Sequence, residues 1–154
     1  MTDNYTILLV EDDPNDVLFL KRALSKNGIH NPVSVLHDGE EAIAYLSGGG
    51  QYSDRIKHPF PKVIMLDLKM PRRGGLEVLE WLKEHPQFRV IPTIVLTSSK
   101  INEDVIKAYG LGANSYMVKP SNFDDLQKMI KTAHDYWSLC LKPEPNQINF
   151  PNGK

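Results

Sequence analysis

Acidic, hydroxyl and basic side chains follow four short apolar stretches of this chain. They are, in chain order, Glu11, Asp12, Asp67, Thr97 and Lys119. Because burying an isolated carboxylate is costly, an acid that ends an apolar run, as Asp67 does in "VIMLD", needs a cation or another polar partner. If the apolar stretches are neighbouring strands, these side chains can act as partners for one another.

Three carboxylates brought together would form a site for a hard divalent cation. Two unit charges about 4 Å apart repel by roughly 4 kcal/mol at an effective dielectric of 20. Mg²⁺ suits such a cluster because it takes carboxylate oxygens, keeps several waters and accepts phosphate oxygens. With Glu11 and Asp12 holding the metal, Asp67 could act as a nucleophile towards phosphorus. Thr97 would then hydrogen-bond a phosphoryl oxygen, and Lys119 would pair with the phosphoryl group or with Asp67.

Other catalytic and metal-binding patterns are absent from the sequence. The segment "EDDPNDVLFLKR" lacks the Gly and Glu that a calcium-binding EF-hand loop requires. The five histidines have no metal-ligand spacing, and Thr97 and Ser98 have no evident His/Asp relay for a hydrolase triad. The run Gly48-Gly49-Gly50 follows a predicted helix rather than a strand, so it does not form a phosphate-binding loop.

Strand-like and helix-like segments alternate five times along the chain. The predicted strands contain "YTILLV", "VSVLH", "KVIMLD", "IPTIVLTSS" and "SYMVKP". Each is followed by a stretch of helical spacing, which is typical of βαβ units and a parallel sheet. Asp13 and Pro14 are suited to begin the first helix, and the glycines from Gly48 should end the second. In an open parallel sheet, ligands bind beyond the carboxyl ends of the strands, where the polar side chains lie.

Residues 1–141 are predicted to form one domain, and residues 142–154 an extended or disordered tail. The connection "GGGQYSDRIKHPFP" is expected to be a mobile surface loop. The last helix has an apolar stripe, which continues past the expected sheet edge through Trp137, Cys140 and Leu141. Because such apolar surface often marks protein contacts, we expect a symmetric homodimer, formed by the helices after the fourth and fifth strands or by the C-terminal segment.

Charge and composition narrow the range of partners. The formal net charge of −1 argues against binding to nucleic acid. The N-terminus lacks signal-peptide features, and no apolar run approaches the ~20 residues of a membrane span. The single Cys140 excludes an internal disulfide. We therefore expect an intracellular, cytoplasmic protein.

The motifs "ILLVEDD", "MLDLKMP" followed by Gly75, "IVLTSS" and "GANSYMVKP" resemble, in order and spacing, the receiver domain of two-component response regulators. The resemblance implies a doubly wound, flavodoxin-like sheet of five strands. It also implies Mg²⁺-dependent phosphorylation of Asp67 by a histidine kinase, with no enzymatic activity beyond this transfer and the subsequent dephosphorylation. No output domain is expected, since the chain leaves no room for one.

The same resemblance assigns further residues to the site. The backbone carbonyl of Lys69 corresponds to a metal ligand, and Tyr116 occupies the aromatic switch position. The Lys119-Pro120 bond is expected to be cis. Lys69 and Ser99 stand at two positions that in this family tune the lifetime of the phosphoryl group. Gly74 replaces an acid that is common before the following glycine.

A narrower likeness concerns the partner. The stretch from "GLEVLEWLKEH" to "IVLTSS", the helix opening "NEDVI" and the aromatic last helix resemble small regulators paired with bacterial and cyanobacterial phytochromes. A phytochrome-type kinase is therefore expected as the partner. The phosphoryl group is expected to draw Thr97 inward, Tyr116 to follow, and the face formed by the last two helices to change.

Two other functions fit parts of the pattern. An aspartyl-nucleophile phosphatase also places an Asp after a strand, but it would need a second Asp where this chain has Lys69. An interaction module that has lost phosphorylation would need none of the chemical groups that are present. Beryllofluoride or acetyl phosphate separates this module from a functional receiver, because a module without phosphorylation would not respond to either compound.

Overall fold

Five parallel strands form one sheet in the computed structural model of the protein, which describes residues 4–143. The strands are β1 (Thr6–Val10), β2 (Val33–Leu36), β3 (Pro61–Leu66), β4 (Thr93–Thr97) and β5 (Ser115–Val118). Their order in the sheet is β2-β1-β3-β4-β5, and each neighbouring pair is parallel. The predicted sheet is confirmed, while the predicted tail lies outside the described residues except for 142 and 143.

Helices pack on both faces of the sheet, which makes the fold doubly wound. They are α1 (Pro14–Lys26), α2 (Gly39–Ser47), α3 (Gly75–Glu84), α4 (Pro86–Arg89), α5 (Asn102–Gly110) and α6 (Phe123–Ser138). Helices α1 and α6 pack together on one face, and α3 packs between α2 and α5 on the other. Within residues 4–143, no helix is long and apolar enough to span a bilayer.

Two apolar clusters, one on each side of the sheet, form the core. In β1, Leu8 and Val10 belong to the cluster under α2 and α3, while Ile7 and Leu9 belong to the cluster under α1 and α6. All four side chains are almost completely buried. This explains why the strands read as continuous apolar runs, since a parallel sheet covered on both faces has no solvent-facing side.

The helix ends follow the predicted signals. Asp13 caps α1 by accepting a hydrogen bond from the backbone N–H of Asn15 at 2.8 Å, and Pro14 takes the first helical position. Helix α2 ends at Ser47 and is capped by Gly48, whose φ of 76° lies in the left-handed region that favours glycine. These caps fix where the chain leaves β1 and where it enters the connection after α2.

The segment 48–61, for which the sequence predicts a mobile loop, is packed against the core. Tyr52 is buried, with its ring 5.2 Å from that of Tyr45 and 5.1 Å from that of His58. The Arg55 guanidinium donates a 2.7 Å hydrogen bond to the carbonyl of Leu46. These two side chains attach the segment to α2, while half of its residues are exposed, as expected of a surface loop; its mobility stays a prediction.

Two helix boundaries differ from the prediction. Pro86 ends α3 as expected, but it also begins the short helix α4, because proline is compatible with the first position of a helix. Helix α6 ends at Ser138 rather than at Cys140. The predicted apolar stripe of α6 is confirmed: three of its residues are buried and two are half-buried against the core, namely Leu126, Ile130, Ala133, Met129 and Trp137.

Candidate functional site

The sheet register brings the predicted polar residues to one edge. Glu11 and Asp67 each extend the hydrogen-bonded ladder one residue beyond their strands, since the Glu11 N–H donates to Leu36 and the Asp67 N–H to Val10. The Lys119 N–H donates to the carbonyl of Thr97 at 2.8 Å in the same way. The polar side chains therefore start from fixed backbone positions at the carboxyl ends of β1, β3, β4 and β5.

An open cavity of about 250 Å³ lies at this edge. Its lining contains the five polar residues that follow the strands, together with four neighbours: Glu11, Asp12, Asp67, Thr97, Lys119, Asp13, Asp16, Lys69 and Ser98. The predicted convergence of acids, hydroxyls and an ammonium is thus present in one cleft.

Three carboxylates in the cleft can share one cation. Ligand oxygens of Glu11, Asp12 and Asp67 all lie within 4.8 Å of one another. Glu11 and Asp67 are 1% and 8% exposed, whereas Asp12 reaches solvent. Oxygen donors at this spacing, with an open side for water, fit the preferences of Mg²⁺.

Lys119 is the cation that the structure places among these acids. Its Nζ lies 2.5 Å from Glu11 Oε1, 2.7 Å from Asp16 Oδ2 and 3.4 Å from Asp67 Oδ2. The ammonium therefore contacts Asp67, as predicted, but it lies closer to Glu11 and Asp16. The cleft lining contains five acidic residues but only two lysines, Lys69 and Lys119, so the cleft carries excess negative charge that a divalent cation can neutralise.

The electrostatics of the cleft follow from this crowding. Burial, together with the charge of Asp67, raises the pKa of Glu11 to about 7, although Lys119 opposes the shift. Burial alone would lower the pKa of Lys119. The hydrogen bonds to Asp16 and Glu11 have a larger, opposite effect and raise the Lys119 pKa above its usual range. The acids thus favour the charged form of Lys119, while burial and the neighbouring Asp67 disfavour the charged form of Glu11.

The backbone around Asp67 is tightly packed. Asp67 Oδ1 accepts a 2.8 Å hydrogen bond from the N–H of Leu68. A Cβ atom on Gly75 would lie 2.3 Å from the carbonyl oxygen of Asp67. Since real Cβ atoms do not approach backbone this closely, the start of α3 requires glycine here, which accounts for the Gly75 of the sequence motif.

Thr97 and Tyr116 lie on the side of the cleft formed by β4 and β5. Thr97 is fully buried and lines the cavity. Tyr116 is half-buried, and its hydroxyl donates a 2.9 Å hydrogen bond to the carbonyl of Ser99, two residues beyond Thr97. The two residues are thus connected through the segment between β4 and α5.

The predicted cis bond at Lys119-Pro120 is wrong: no peptide bond within residues 4–143 is cis. The trans form is favoured by about 0.5–1 kcal/mol even before proline, so proline alone does not impose the cis form. Lys119 reaches the cluster of acids from a trans bond.

Sequence reasoning missed two acids of the cleft and its rim. Asp16 lies on the first turn of α1, three residues after the cap residue Asp13, where acids are common in helices, so its position alone does not mark it as part of the cleft. Asp104 is 8% exposed at the start of α5, where it accepts a hydrogen bond from Ser99 and pairs with Lys69. No local pattern distinguishes Asp104 from the exposed Glu103 beside it.

Comparison with known proteins agrees with this geometry. The response regulator receiver domain family matches residues 7–131 of the chain. Response regulator Rcp1 of Synechocystis sp. (strain PCC 6803) is 38% identical over 131 residues, which cover 85% of this chain and 87% of Rcp1. The probable methanogenesis regulatory protein FilR2 of Methanothrix harundinacea is 36% identical, with 88% of this chain and 84% of FilR2 covered.

Solved structures give the same result. The phosphorylated cyanobacterial phytochrome response regulator RcpA matches with a TM-score of 0.85 and 33% identity, over 92% of this chain and 99% of that one. The Mn²⁺-bound form of Rcp1 matches with a TM-score of 0.82 and 36% identity, over 90% and 99% of the two chains. In fold, sequence and site geometry, the chain belongs to the receiver domain family of response regulators.

Proposed function

We propose that the protein receives a phosphoryl group on Asp67 from the phosphorylated histidine of a partner kinase. The observation that carries this proposal is the position of Asp67, a buried carboxylate that lines an open cleft beside the Lys119 ammonium and the Thr97 hydroxyl. In the transfer, a carboxylate oxygen bonds to phosphorus as the P–N bond to the histidine breaks. The imidazole nitrogen that is released takes up a proton from solvent.

The proposed metal is Mg²⁺, held by Glu11, Asp12, Asp67 and the backbone carbonyl of Lys69. The three carboxylates within 4.8 Å of one another support this assignment, as does the Mn²⁺-bound structure of Rcp1. When bound, the metal would neutralise charge on the phosphoryl oxygens. Lys119 adds a positive charge 3.4 Å from Asp67, and Thr97 offers a hydroxyl as a hydrogen-bond donor.

Phosphorylation would be read out through Thr97 and Tyr116. A phosphoryl oxygen that accepts a hydrogen bond from Thr97 would pull the following segment towards Asp67. That movement would break the hydrogen bond between the Tyr116 hydroxyl and the Ser99 carbonyl, which is 2.9 Å long in the present structure. Tyr116 would then turn inward and change the surface formed by α5 and α6.

The proposed partner is a histidine kinase of the phytochrome type. RcpA, named as a phytochrome response regulator, matches 92% of this chain, which supports the assignment. FilR2, named for methanogenesis, is nearly as similar as Rcp1. Phosphoryl transfer from a phytochrome kinase, at a rate that changes with illumination, would support the phytochrome-type partner. Transfer from other kinases alone would reject this partner.

We also propose that the protein forms a symmetric homodimer. Two exposed apolar groups support it: Ile106 and Tyr109 on α5 are 62% and 49% exposed, and Leu139 and Leu141 after α6 are 87% and 102% exposed. Apolar surface of this extent favours contact with a second copy. The contact would lie on the face of α5 and α6 or on the C-terminal segment.

Two further proposals concern the bounds of the receiver unit and the compartment in which it acts. We place the receiver unit at residues 1–141 and its action in the cytoplasm, in agreement with the single cysteine.

The phosphoryl group would leave by hydrolysis: a water oxygen bonds to phosphorus as the bond to Asp67 breaks, giving the carboxylate and inorganic phosphate. No other substrate is proposed, because Lys69 stands where an aspartyl phosphatase needs a second Asp.

Phosphoryl transfer from a radiolabelled histidine kinase tests the proposed function. Wild type and an Asp54→Asn control, which changes an exposed loop carboxylate, should become labelled only with Mg²⁺ present. Asp67→Asn should remain unlabelled. Equal labelling of the Asp67→Asn variant would reject Asp67 as acceptor, and a wild type that neither accepts label nor binds beryllofluoride would favour the interaction module.

A further inference from the structure

An ion pair crosses the rim of the cleft. Lys69 belongs to the segment between β3 and α3, and Asp104 belongs to the first turn of α5. Lys69 Nζ lies 3.3 Å from Asp104 Oδ2. Lys69 also lines the cavity that contains Asp67, so one residue of the cleft is paired with α5.

Asp104 contacts Ser99 as well as Lys69. It is 8% exposed, and its Oδ2 accepts a 2.6 Å hydrogen bond from the Ser99 hydroxyl. The hydrogen bond from Ser99, assisted by the charge of Lys69, holds the pKa of Asp104 below its usual range. Because Tyr116 binds the carbonyl of the same Ser99, Asp104 fixes a segment that is held from two sides.

A phosphoryl group on Asp67 would compete with Asp104 for the ammonium of Lys69. Lys69 follows Asp67 by two residues, and its side chain is 63% exposed, which leaves it room to turn. A phosphoryl group brings close to two negative charges and three acceptor oxygens into the cleft. The two anions lie on different elements, so an ammonium drawn to one of them weakens its contact with the other.

We propose that Asp104 is a positioning residue for the phosphoryl chemistry. Asp104 holds the ammonium of Lys69 away from Asp67 until a phosphoryl group on Asp67 draws that ammonium away from Asp104. This proposal rests on the proposed role of Asp67. An interaction made only in the unphosphorylated state stabilises that state, so Asp104 opposes phosphorylation. Loss of the pair would also release the first turn of α5, on the side of the molecule that contains Tyr116.

Calorimetric titration with beryllofluoride in the presence of Mg²⁺ tests the proposal. Asp104→Asn keeps an acceptor for Ser99 but removes the charge that pairs with Lys69. We expect this variant to bind beryllofluoride about two- to fivefold more tightly than wild type, which is the range of half-exposed ion pairs. Glu103→Gln makes the same charge change on the same turn at an exposed position, and it should match wild type.

A double-mutant cycle separates this competition from a general charge effect. In a Lys69→Met background, Asp104→Asn should have no further effect, because the displaced ammonium is gone. If Asp104→Asn tightens binding equally without Lys69, or if it does not differ from Glu103→Gln, the proposal is wrong. Asp104→Ser, which also suits the first turn of a helix, should repeat the tightening if Asp104→Asn fails to fold.

Failure of the underlying function gives a different result. If beryllofluoride binds wild type no better than Asp67→Asn, the role of Asp67 is rejected and the competition with Asp104 is rejected with it. If beryllofluoride binding depends on Asp67 but the Asp104 variants match wild type, the proposed function stands and only this inference fails.

Discussion

At the residue scale, the cleft depends on the balance between its acids and Lys119. Glu11, Asp16 and Asp67 all contact the Lys119 ammonium within 3.4 Å. When a buried carboxylate loses its cationic partner, the free-energy cost of removing it from water is no longer offset, and the folded state is destabilised. The stability of the unphosphorylated protein should therefore depend on whichever cation is present in the cleft.

Replacing Lys119 tests this balance. We expect Lys119→Met to lower the free energy of unfolding by roughly 1–3 kcal/mol in the presence of a chelator, because Glu11 and Asp67 lose their shared donor. Mg²⁺ should restore more stability to this variant than it adds to wild type, since a metal replaces the missing charge. Urea denaturation with and without Mg²⁺ measures both effects.

Lys131→Met is the matched control for this experiment. Lys131 forms an exposed pair with Asp135, and both side chains are at least 60% exposed. Its loss should change the free energy of unfolding by less than about 0.5 kcal/mol. If Lys119→Met were as stable as this control in chelator, Lys119 would not compensate the acids.

Asp38 allows a pH-dependent test outside the cleft. Its carboxylate caps α2 by accepting from the Glu41 N–H at 2.8 Å, and it pairs with Arg72. Burial alone would raise the pKa of Asp38, but the hydrogen bonds from Glu41 and Arg72 outweigh it and lower the pKa. A lowered pKa in the folded state stabilises the protein above the unfolded value of about 3.9, and this stabilisation is lost as the pH falls through the folded value.

We therefore expect Asp38→Asn to unfold at lower urea than wild type at pH 7. The difference between the two midpoints should shrink as the pH is lowered from 5 to 3, because wild type loses the charged interaction while the variant never has it. A difference that is independent of pH would show that the charge of Asp38 does not cause it, and would contradict the expected role of the ion pair with Arg72. Parallel urea titrations at pH 7, 5 and 3 decide the question.

At the element scale, close approach of α3 to the end of β3 sets the geometry around Asp67. The Gly75 N–H donates a 2.9 Å hydrogen bond to the carbonyl of Leu68, and there is no space for a side chain at Gly75. The segment between them is also attached to α2, where the Gly39 N–H donates a 2.8 Å hydrogen bond to the carbonyl of Arg73. The backbone after Asp67 is thus held at both ends.

Gly75→Ala should disturb this segment. We expect a loss of about 1–3 kcal/mol in the free energy of unfolding, because the added methyl group meets the Asp67 carbonyl. Phosphorylation should slow as well, since the segment that carries Lys69 must shift. Thermal or urea unfolding and the rate of labelling by acetyl phosphate measure the two effects.

Gly110→Ala is the control for Gly75→Ala. A Cβ atom on Gly110 would meet no atom within 4 Å outside its own neighbourhood, and the residue lies in α5. This variant should be as stable as wild type or up to about 1 kcal/mol more stable. Equal behaviour of the two alanine variants would contradict the close approach at Gly75.

At the scale of the whole molecule, local sequence patterns predict the fold well because its determinants are local. The β-branched runs, the Asp13 cap and the Gly48 stop are each visible within a few residues. The side chains that converge on Asp67 also follow from topology, since parallel strands present their carboxyl ends at one edge. Asp104 and the packing of Tyr52 depend on contacts between distant segments, and no local pattern specifies them.

The proposed homodimer belongs to this scale. We expect the weight-average mass in light scattering to rise with concentration for wild type. Ile106→Ser with Tyr109→Ser should abolish the rise if α5 forms the contact, and Leu139→Ser with Leu141→Ser should do so if the C-terminal segment forms it. Ile56→Ser, at a residue that is 94% exposed, is the control and should associate like wild type. A wild type that stays monomeric at high concentration would contradict the proposal.

The central claim is that Asp67 carries the phosphoryl group, and chemical trapping of that residue tests it most directly. Borohydride reduces an aspartyl phosphate to homoserine, so peptide mass spectrometry can locate the modified residue after phosphorylation by a kinase or by acetyl phosphate. We predict homoserine at position 67 alone, only when Mg²⁺ is present during phosphorylation. Homoserine at another acid of the cleft, or a phosphorylated protein with an intact Asp67, would contradict the account.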